Sequence, residues 1–272
     1  MEKKPGWKAV FYILGNQIIE RIATVGMMAN FMVYLLKIFN LGQVDASNVI
    51  GICTGVSNFV PIIGACVADA YLGKFRTIAI SSFGTLVGMV ILTLTAWLPQ
   101  LHPPSCSSIQ HCVPPTSTQI GILILGLFWL AVGTGGIAPC TIPLAIDQFD
   151  TNTPEGRKGV GSFFNWYYTI QTVVHLISLT VIVYLQNQSW ILGFGILSVL
   201  MFFSIILFYS RAKVYVCIPA EGSIFSGIAQ VFVAAYKKHH LQVPVEEEEG
   251  DYYDPSLEDK APLKIPLTQQ LR

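Results

Sequence analysis

Charged side chains are scarce in this sequence: Asp, Glu, Lys and Arg make up only 12% of its 272 residues, whereas hydrophobic residues make up 53%. Soluble globular domains carry about 25% charged residues, so this composition argues against a soluble fold. Positive and negative charges balance, and no basic patch of the kind that binds nucleic acid is present. These absences favour a polytopic membrane protein without a nucleic-acid partner.

Six long apolar runs alternate with short polar segments. Each run approaches the ~20 residues that an α-helix needs to cross a bilayer. The pattern predicts an all-α membrane protein with six transmembrane helices at 10–36, 48–69, 77–98, 119–143, 161–186 and 190–210. We expect residues 1–213 to form this bundle, 214–240 to form an amphipathic cytoplasmic helix, and the acidic, proline-containing segment 241–272 to form a disordered linker.

Lys and Arg are distributed unevenly along the chain. Fourteen of the sixteen lie before the first run, in the loops near 70–76 and 155–158, or after residue 210, and none lies in 99–118 or 186–190. Cytoplasmic loops of membrane proteins are enriched in these residues. We therefore expect the N-terminus and the tail to be cytoplasmic.

The first apolar run contains two adjacent charges, Glu20 and Arg21. One charge at the centre of a transmembrane helix costs about 2.5–3.5 kcal/mol on insertion scales, so an intramembrane charge indicates a functional site. Gln17 and Thr24 lie one helical turn to either side and extend the pair into a polar column. The alternative is that Glu20 and Arg21 only neutralise each other inside the bundle.

The fifth run carries a polar stripe composed of Asn165, Tyr168, Thr172 and His175. Their spacing of three or four residues places them on one helix face. Such a face lines either a water-filled cavity or a contact with another helix. For His175, a hydrogen bond to a neighbouring helix is the competing interpretation.

Charges of both signs also occur next to the ends of the predicted helices on the cytoplasmic side. Carboxylates there can pair with basic groups and latch one conformation of a moving bundle. Anchoring at the membrane surface, which needs only the positive charges, is the alternative. The predicted latch residues are Asp69, Lys74, Arg76, Asp147, Asp150 and Arg157.

Two cysteines, Cys106 and Cys112, share one polar loop with His102 and His111. A disulfide on an oxidising side of the membrane is our prediction, and a zinc site is the alternative. The apolar runs contain no nucleophile–base pair and no cluster of metal ligands. We therefore predict neither an enzymatic activity nor a metal or other cofactor.

Four segments read as signatures of one family: Gln17-Ile18-Ile19-Glu20-Arg21, Ala68-Asp69-Ala70-Tyr71-Leu72-Gly73-Lys74, Asp147-Gln148-Phe149-Asp150 and Phe163-Phe164-Asn165-Trp166-Tyr167-Tyr168. Together they resemble the plant nitrate/peptide transporter family, part of the proton-dependent oligopeptide transporters of the major facilitator superfamily. The first segment resembles the family's E-x-x-E-[RK] motif. The family fold has twelve helices in two bundles, and the resemblance covers the first bundle and the start of the central linker. It therefore implies the N-terminal half of a major facilitator fold.

The resemblance implies a transporter that moves nitrate, peptides or other organic anions together with a proton. It implies that Gln17, Glu20 and Arg21 form the proton-coupling motif. It also implies a plasma-membrane location, with the vacuolar membrane as the alternative. The cavity lining that we expect consists of Arg21, Thr24, Asn165, Tyr168, Thr172 and His175.

Two positions depart from the family pattern. Gln17 stands where the family has a glutamate, and Ala138 stands where it usually has a basic residue. A glutamine side chain cannot exchange a proton, whereas a carboxyl group in a membrane can. We therefore expect weakened proton coupling. The alternative function is a truncated, non-transporting membrane partner that binds and modulates full-length relatives.

Overall fold

The computed structural model describes residues 4–104, 113–218 and 231–237. Within these residues every regular element is helical, and six helical segments are long and apolar enough to cross a membrane. The all-α, six-span prediction is therefore confirmed. The chain divides into two units, Met1–Ile224 and Phe225–Arg272. The described part of the second unit is a helix over 231–237.

The first three spans are built from four α-helices and one π-helical turn. They are α1 (Trp7–Ala29), α2 (Phe31–Lys37), α3 (Gln43–Val67) with the π-helical turn Ala68–Leu72, and α4 (Lys74–Trp97). The last three spans are α5 (Ser117–Asp147), then α6 (Pro154–Ile177) continued by the π-helical turn Ser178–Ile182 and α7 (Val183–Gln188), and finally α8 (Trp190–Ser210). The last span, α8, matches the predicted run 190–210. The other spans extend beyond their predicted runs, because their helices continue into polar residues at one or both ends.

Side-chain caps determine where the last three spans begin. At Thr116 the hydroxyl accepts the backbone N–H of Gln119, and the Gln119 side chain accepts the N–H of Thr116, which forms a capping box before α5. Thr153 caps α6 and is followed by Pro154, a residue favoured at the first helical position. Ser189 caps α8. These polar residues fix the starts of α5, α6 and α8 at Ser117, Pro154 and Trp190.

The α4–α5 pair packs through glycine. A Cβ at Gly88 would lie 2.6 Å from the backbone nitrogen of Leu130, and one at Gly133 would collide with Thr85. Only glycine therefore permits this backbone approach, as in other small-residue contacts between membrane helices.

Two apolar clusters form the core. One contains Phe163 and Phe208 with the start of α1, and the other contains Tyr34 and Phe194 with the end of α1. Between them, α1 buries polar side chains, and these include Gln17 and Glu20. The polar column thus lies at the centre of the bundle.

Two spans are far less buried than the rest. Ala46 is the one buried residue of α3, and its exposed apolar side chains include Phe59, Ile62 and Ile63. The face of α6 that includes Trp166 is similarly exposed. Both helices therefore present faces that the described part of this chain does not cover.

One prediction about the connecting segment is wrong, and others concern residues outside the described part. Residues 214–218 are not helical, although we predicted an amphipathic helix over 214–240. The Val216 N–H donates to the Gln148 side-chain oxygen, and the Gln148 amide donates to the Val216 carbonyl, which holds this segment at the end of α5. Helix is present at 231–237, and the predicted linker at 241–272 lies outside the described residues.

Candidate functional site

The polar column of α1 is divided between two helix faces. Gln17, Glu20 and Thr24 are buried, whereas the Arg21 side chain keeps 31% of its surface exposed. Successive residues of an α-helix are rotated by about 100°, so neighbours in sequence point in different directions. Glu20 therefore points into the bundle. Arg21 points toward the partly exposed face of α1, which we call the open side of the bundle.

The contact between Glu20 and Arg21 is loose. Arg21 Nε lies 3.7 Å from Glu20 Oε2, which allows electrostatic attraction but is too long for a hydrogen bond. Thr24 Oγ1 donates to the backbone carbonyl of Glu20 at 3.0 Å. Among the described residues, Glu20 Oε2, Arg21 Nε and Gln17 Oε1 are buried without a hydrogen-bond partner. Glu20 and Arg21 thus attract each other without sharing a hydrogen bond.

The π-helical turn Ser178–Ile182 packs against α1 near this column. Ile182 Cγ2 would lie 3.0 Å from a Cβ at Gly26, and Gln186 Nε2 donates to the Gly26 carbonyl at 2.8 Å. The fully buried Ser178 hydroxyl has no hydrogen-bond partner in the described chain. Sequence reasoning missed Ser178 and Gln186, although a polar residue inside an apolar run was the available signal.

A second buried polar contact joins α1 to α8. Ser204 Oγ lies 2.6 Å from Asn16 Oδ1 and 3.1 Å from the Asn16 backbone carbonyl. Both residues are buried. The sequence analysis did not predict this contact. It holds the side of α1 that faces away from Arg21 against α8.

The predicted stripe on α6 is exposed along its whole length. Thr172 Oγ1 donates to the Tyr168 carbonyl at 3.2 Å, and His175 Nδ1 lies 2.7 Å from the Gln171 carbonyl. These bonds remain within α6, and no hydrogen bond joins His175 to another helix among the described residues. Asn165 is exposed on the same helix. The stripe therefore faces away from this bundle.

The predicted charge latch contains one formed ion pair. Lys74 Nζ lies 2.6 Å from Asp147 Oδ2, and it joins the start of α4 to the end of α5. Asp150 instead accepts the backbone N–H of Asn152 with its carboxylate. Asp69, Arg76 and Arg157 form no ion pair with any other described residue.

Gln148, just after α5, forms hydrogen bonds with two distant segments, one at Gly6 before α1 and one at Val216 after α8. Its backbone carbonyl accepts the N–H of Gly6 at 3.0 Å. Its side-chain Oε1 accepts the N–H of Val216 at 2.9 Å, and its Nε2 donates to the Val216 carbonyl at 3.1 Å. Next to Val216, Tyr215 stacks on Phe208 with ring centroids 5.4 Å apart, and burial raises the pKa of Tyr215 to about 12. The segment after α8 is therefore docked on the bundle.

The other positions that the sequence analysis singled out lie outside the polar column and the α6 stripe. Ala138 is half-buried within α5. Cys106, Cys112 and His111 lie outside the described residues, so both the disulfide and the zinc alternative stay predictions. His102 is described, and its Nδ1 lies 2.9 Å from the Pro103 carbonyl.

Comparison with known proteins identifies relatives for the whole chain. The chain is 53% identical over 277 aligned residues to Protein NRT1/PTR FAMILY 2.13 of Arabidopsis thaliana, with coverage of 100% of this chain and 45% of that protein. It is 46% identical to Protein NRT1/PTR FAMILY 2.12 of the same organism, with coverage of 100% and 48%. The chain thus spans about half the length of these relatives.

Solved structures have the same fold. The POT family transporter PepTSo matches with a TM-score of 0.68 at 23% identity, over 91% of this chain and 45% of that one. An auto-inhibited POT family peptide transporter matches with a TM-score of 0.69 at 23% identity, over 88% and 43%. The profile described as "PTR2: POT family" matches residues 75–261. The chain is therefore a multi-pass membrane protein that belongs to the POT family, and its plant relatives are the NRT1/PTR proteins that the sequence segments predicted.

Proposed function

We propose that this chain forms the N-terminal half of a proton-coupled secondary transporter of the nitrate/peptide type. The observation that supports this best is Glu20, a buried carboxylate at the centre of α1 with one oxygen that lacks a hydrogen-bond partner in the described chain. A buried acid of this kind is costly unless it has a function such as proton binding. Membership of a transporter family agrees with that role.

The two charges of α1 have separate roles in this proposal. Glu20, which points into the bundle, binds and releases the proton. Arg21, on the open side, contacts the anionic group of nitrate, of a peptide or of another organic anion. The exposed stripe of α6 lines the path of the substrate, whereas Thr24 is buried beside Glu20.

Proton coupling is weaker in this protein than the family motif alone would predict. Gln17 is buried one turn from Glu20, and its amide cannot take up or release a proton. Ala138 supplies no positive charge to α5. The other acids of the six spans, Asp45, Asp69, Asp147 and Glu155, lie near span ends, so Glu20 is the one acid in the middle of a span that can couple transport to the proton gradient.

Transport by alternating access requires a second bundle that moves against this one. The uncovered faces of α3 and α6, with Phe59, Ile62 and Trp166 exposed, are suited to contact such a bundle. The same faces favour a second candidate function, in which the chain binds the bundle of a full-length relative and modulates its transport without transporting anything itself. In both cases we place the N-terminus and the tail in the cytoplasm, at the plasma membrane or, alternatively, the vacuolar membrane.

Proteoliposomes test the first proposal. The chain is reconstituted alone, or together with the second half of the Arabidopsis relative that is 53% identical to it, and uptake of nitrate and of a dipeptide is measured with and without a pH gradient. We expect uptake only with both halves and its loss in Glu20→Gln. Asp45→Asn, which neutralises an exposed carboxylate at the start of α3, is the matched control and should leave uptake unchanged.

The same experiment separates the two candidate functions. If the paired halves take up neither solute, and adding the chain lowers uptake by the full-length relative, the modulator function is supported and the transporter proposal is rejected. Uptake that persists in Glu20→Gln would contradict the role of Glu20 in coupling.

A further inference from the structure

His175 is the one histidine within the six spans, and it lies on the polar stripe of α6. Its side chain is exposed, as is that of Thr172 on the same face. The opposite face of the helix is apolar and also exposed, with Trp166 and Val173. Lipid solvates an apolar face, whereas an ionisable side chain is costly in hydrocarbon. The face with His175 therefore borders the open side of the bundle rather than lipid.

One ring nitrogen of His175 is occupied, and the other can take up a proton. Nδ1 lies 2.7 Å from the backbone carbonyl of Gln171. A carbonyl oxygen can only accept a hydrogen bond, so Nδ1 carries the hydrogen and Nε2 holds a lone pair in the neutral ring. Nε2 forms no hydrogen bond within the part of the chain that the structure describes. Protonation at Nε2 therefore makes the side chain a cation while the bond to Gln171 stays in place.

His175 lies close to the depth of Arg21. A Cβ at Gly26 would lie 3.0 Å from Ile182, so these two residues are level with each other. The first and fifth spans run in the same direction through the membrane, because both are odd-numbered. Seven residues before this contact lie Ile19 on α1 and His175 on α6. His175 and Arg21 are therefore within about one helical turn of each other along the helix axes.

The two side chains also face the same side of the contact between α1 and α6. Ile22 packs against the core cluster that contains Ile182, and Val174 is buried where α6 packs on α1. Arg21 precedes Ile22 and His175 follows Val174, and each step turns the side chain by about 100°. In parallel right-handed helices, a step back on one helix and a step forward on its neighbour turn both side chains to the same side. His175 and Arg21 thus face a common space.

Arg21 is the charge that shares this space with His175. The elements packed against α6 are α1 and the π-helical turn Ser178–Ile182, and the turn has no titratable side chain. The titratable side chains of α1 are Lys8, Tyr12, Glu20 and Arg21. The first two lie nearer the start of α1, and Glu20 points into the bundle. Two cations in one space repel each other, and an anion between them removes the repulsion.

We propose that His175 is a second proton-binding residue of the transport path, and that its protonated ring binds the anion together with Arg21. Nε2 takes up one proton, and no other bond changes. The resulting charge replaces the one that Ala138 does not supply to α5. Because the proton strengthens anion binding, the anion strengthens proton binding to the same extent, which couples the two without an acid at residue 17. This proposal rests on the proposed contact between Arg21 and the anion.

Nitrate binding to the intact chain in nanodiscs of zwitterionic lipid tests the proposal. Nitrate keeps its charge between about pH 5.5 and about pH 7.5, the range in which histidine side chains gain and lose a proton. A change in affinity therefore reports a change in the protein. We expect nitrate to bind at least about fivefold more tightly at the lower pH, the effect of one added cationic contact. Equal affinities at the two pH values, or no binding at either, would overturn the proposal.

Two substitutions of His175 separate its charge from its shape. His175→Gln cannot become a cation, so nitrate should bind weakly at both pH values. His175→Lys carries a positive charge throughout this range, so nitrate should bind at both pH values about as tightly as it binds the original chain at the lower one. His102→Gln removes a histidine outside the six spans and should keep the original pH dependence. Persistent pH dependence in His175→Gln would refute the role of His175.

Glu20→Gln distinguishes the two proton sites. Nitrate binding to this variant should keep its pH dependence, because His175 is intact. If the dependence is lost in Glu20→Gln, it belongs to Glu20, and the proposal is rejected. Binding and uptake are separate measurements. Binding that depends on pH, without uptake by the paired halves, would reject the transport function alone, and uptake with binding that is independent of pH would reject the role of His175 alone.

Discussion

Glu20 and Arg21 are adjacent in sequence but lie in different environments, since the Glu20 side chain is 3% exposed and that of Arg21 is 31% exposed. Their closest charged atoms are 3.7 Å apart, and neither atom forms a hydrogen bond within the described residues. A tight salt bridge would hold both side chains in one geometry. In the proposed function, the loose contact allows Glu20 to gain or lose a proton and Arg21 to bind an anion.

Removing the charge of Glu20 and removing the charge of Arg21 should change the free energy of unfolding in opposite directions. Glu20→Gln eliminates a buried charge without an adequate partner, so we expect the free energy of unfolding to rise by about 1 kcal/mol. Arg21→Gln removes the attraction to Glu20 and should lower it by roughly 1 kcal/mol, a modest loss because Arg21 is partly exposed. Thermal unfolding in detergent measures both. A stabilised Arg21→Gln variant would show that the pair contributes no attraction.

Restoring the family's missing carboxylate should strengthen coupling. In Gln17→Glu a second acid lies one turn from Glu20, so two carboxyl groups rather than one can exchange protons. We expect nitrate or dipeptide uptake by the paired halves to become more dependent on pH. Gln43→Glu, at the exposed start of α3, is the control. The same pH profile in Gln17→Glu and the original protein would refute this account of Gln17.

Exchanging the two charges of the Lys74–Asp147 ion pair should preserve its contribution to stability. Lys74→Asp places two carboxylates together, and Asp147→Lys places two ammonium groups together, so each single variant should lose about 1–2 kcal/mol of stability. The double variant restores the attraction and should recover most of this loss. Thermal unfolding of the four proteins gives the coupling energy. Additive effects of the two changes would mean that the pair is not stabilising.

Gln148→Ala should release the segment that follows α8. The variant loses both side-chain bonds to Val216, each worth about 1 kcal/mol. Trypsin should then cleave faster after Arg211 or Lys213, which limited proteolysis and mass spectrometry detect. Gln188→Ala, at the exposed end of α7, should leave the cleavage rate unchanged. Equal rates for the two variants would argue against docking through Gln148.

Cys217 should react slowly with thiol reagents at neutral pH. Cys217 is exposed, but partial burial raises the pKa of its thiol above the ordinary value, while Arg76 opposes the shift. Because the thiolate is the reactive form, a raised pKa leaves less of it at neutral pH, and alkylation should accelerate as the pH rises past the ordinary thiol pKa. Arg76→Gln should slow alkylation further. Mass spectrometry of the peptide with Cys217, against a free cysteine peptide, checks both expectations.

The fold and the family were predictable from local sequence. The length of an apolar run is enough to place a transmembrane helix, and the segment Gln17–Arg21 together with three others indicated the family. Helix ends were less predictable, because caps such as Thr116 lie outside the apolar runs. The course of residues 214–218 was predicted wrongly, since it depends on Gln148, which is distant in sequence.

Sequence alone determined that α1 carries Gln17, Glu20 and Arg21 at membrane depth, because composition and helical spacing are local properties. Only the tertiary structure decided which of these side chains is buried and which faces the open side, because burial depends on which helices pack against each face of α1. The tertiary structure also brought Arg21 of α1 and His175 of α6 to a similar depth on the open side of the bundle. No pattern within either helix could have predicted that register.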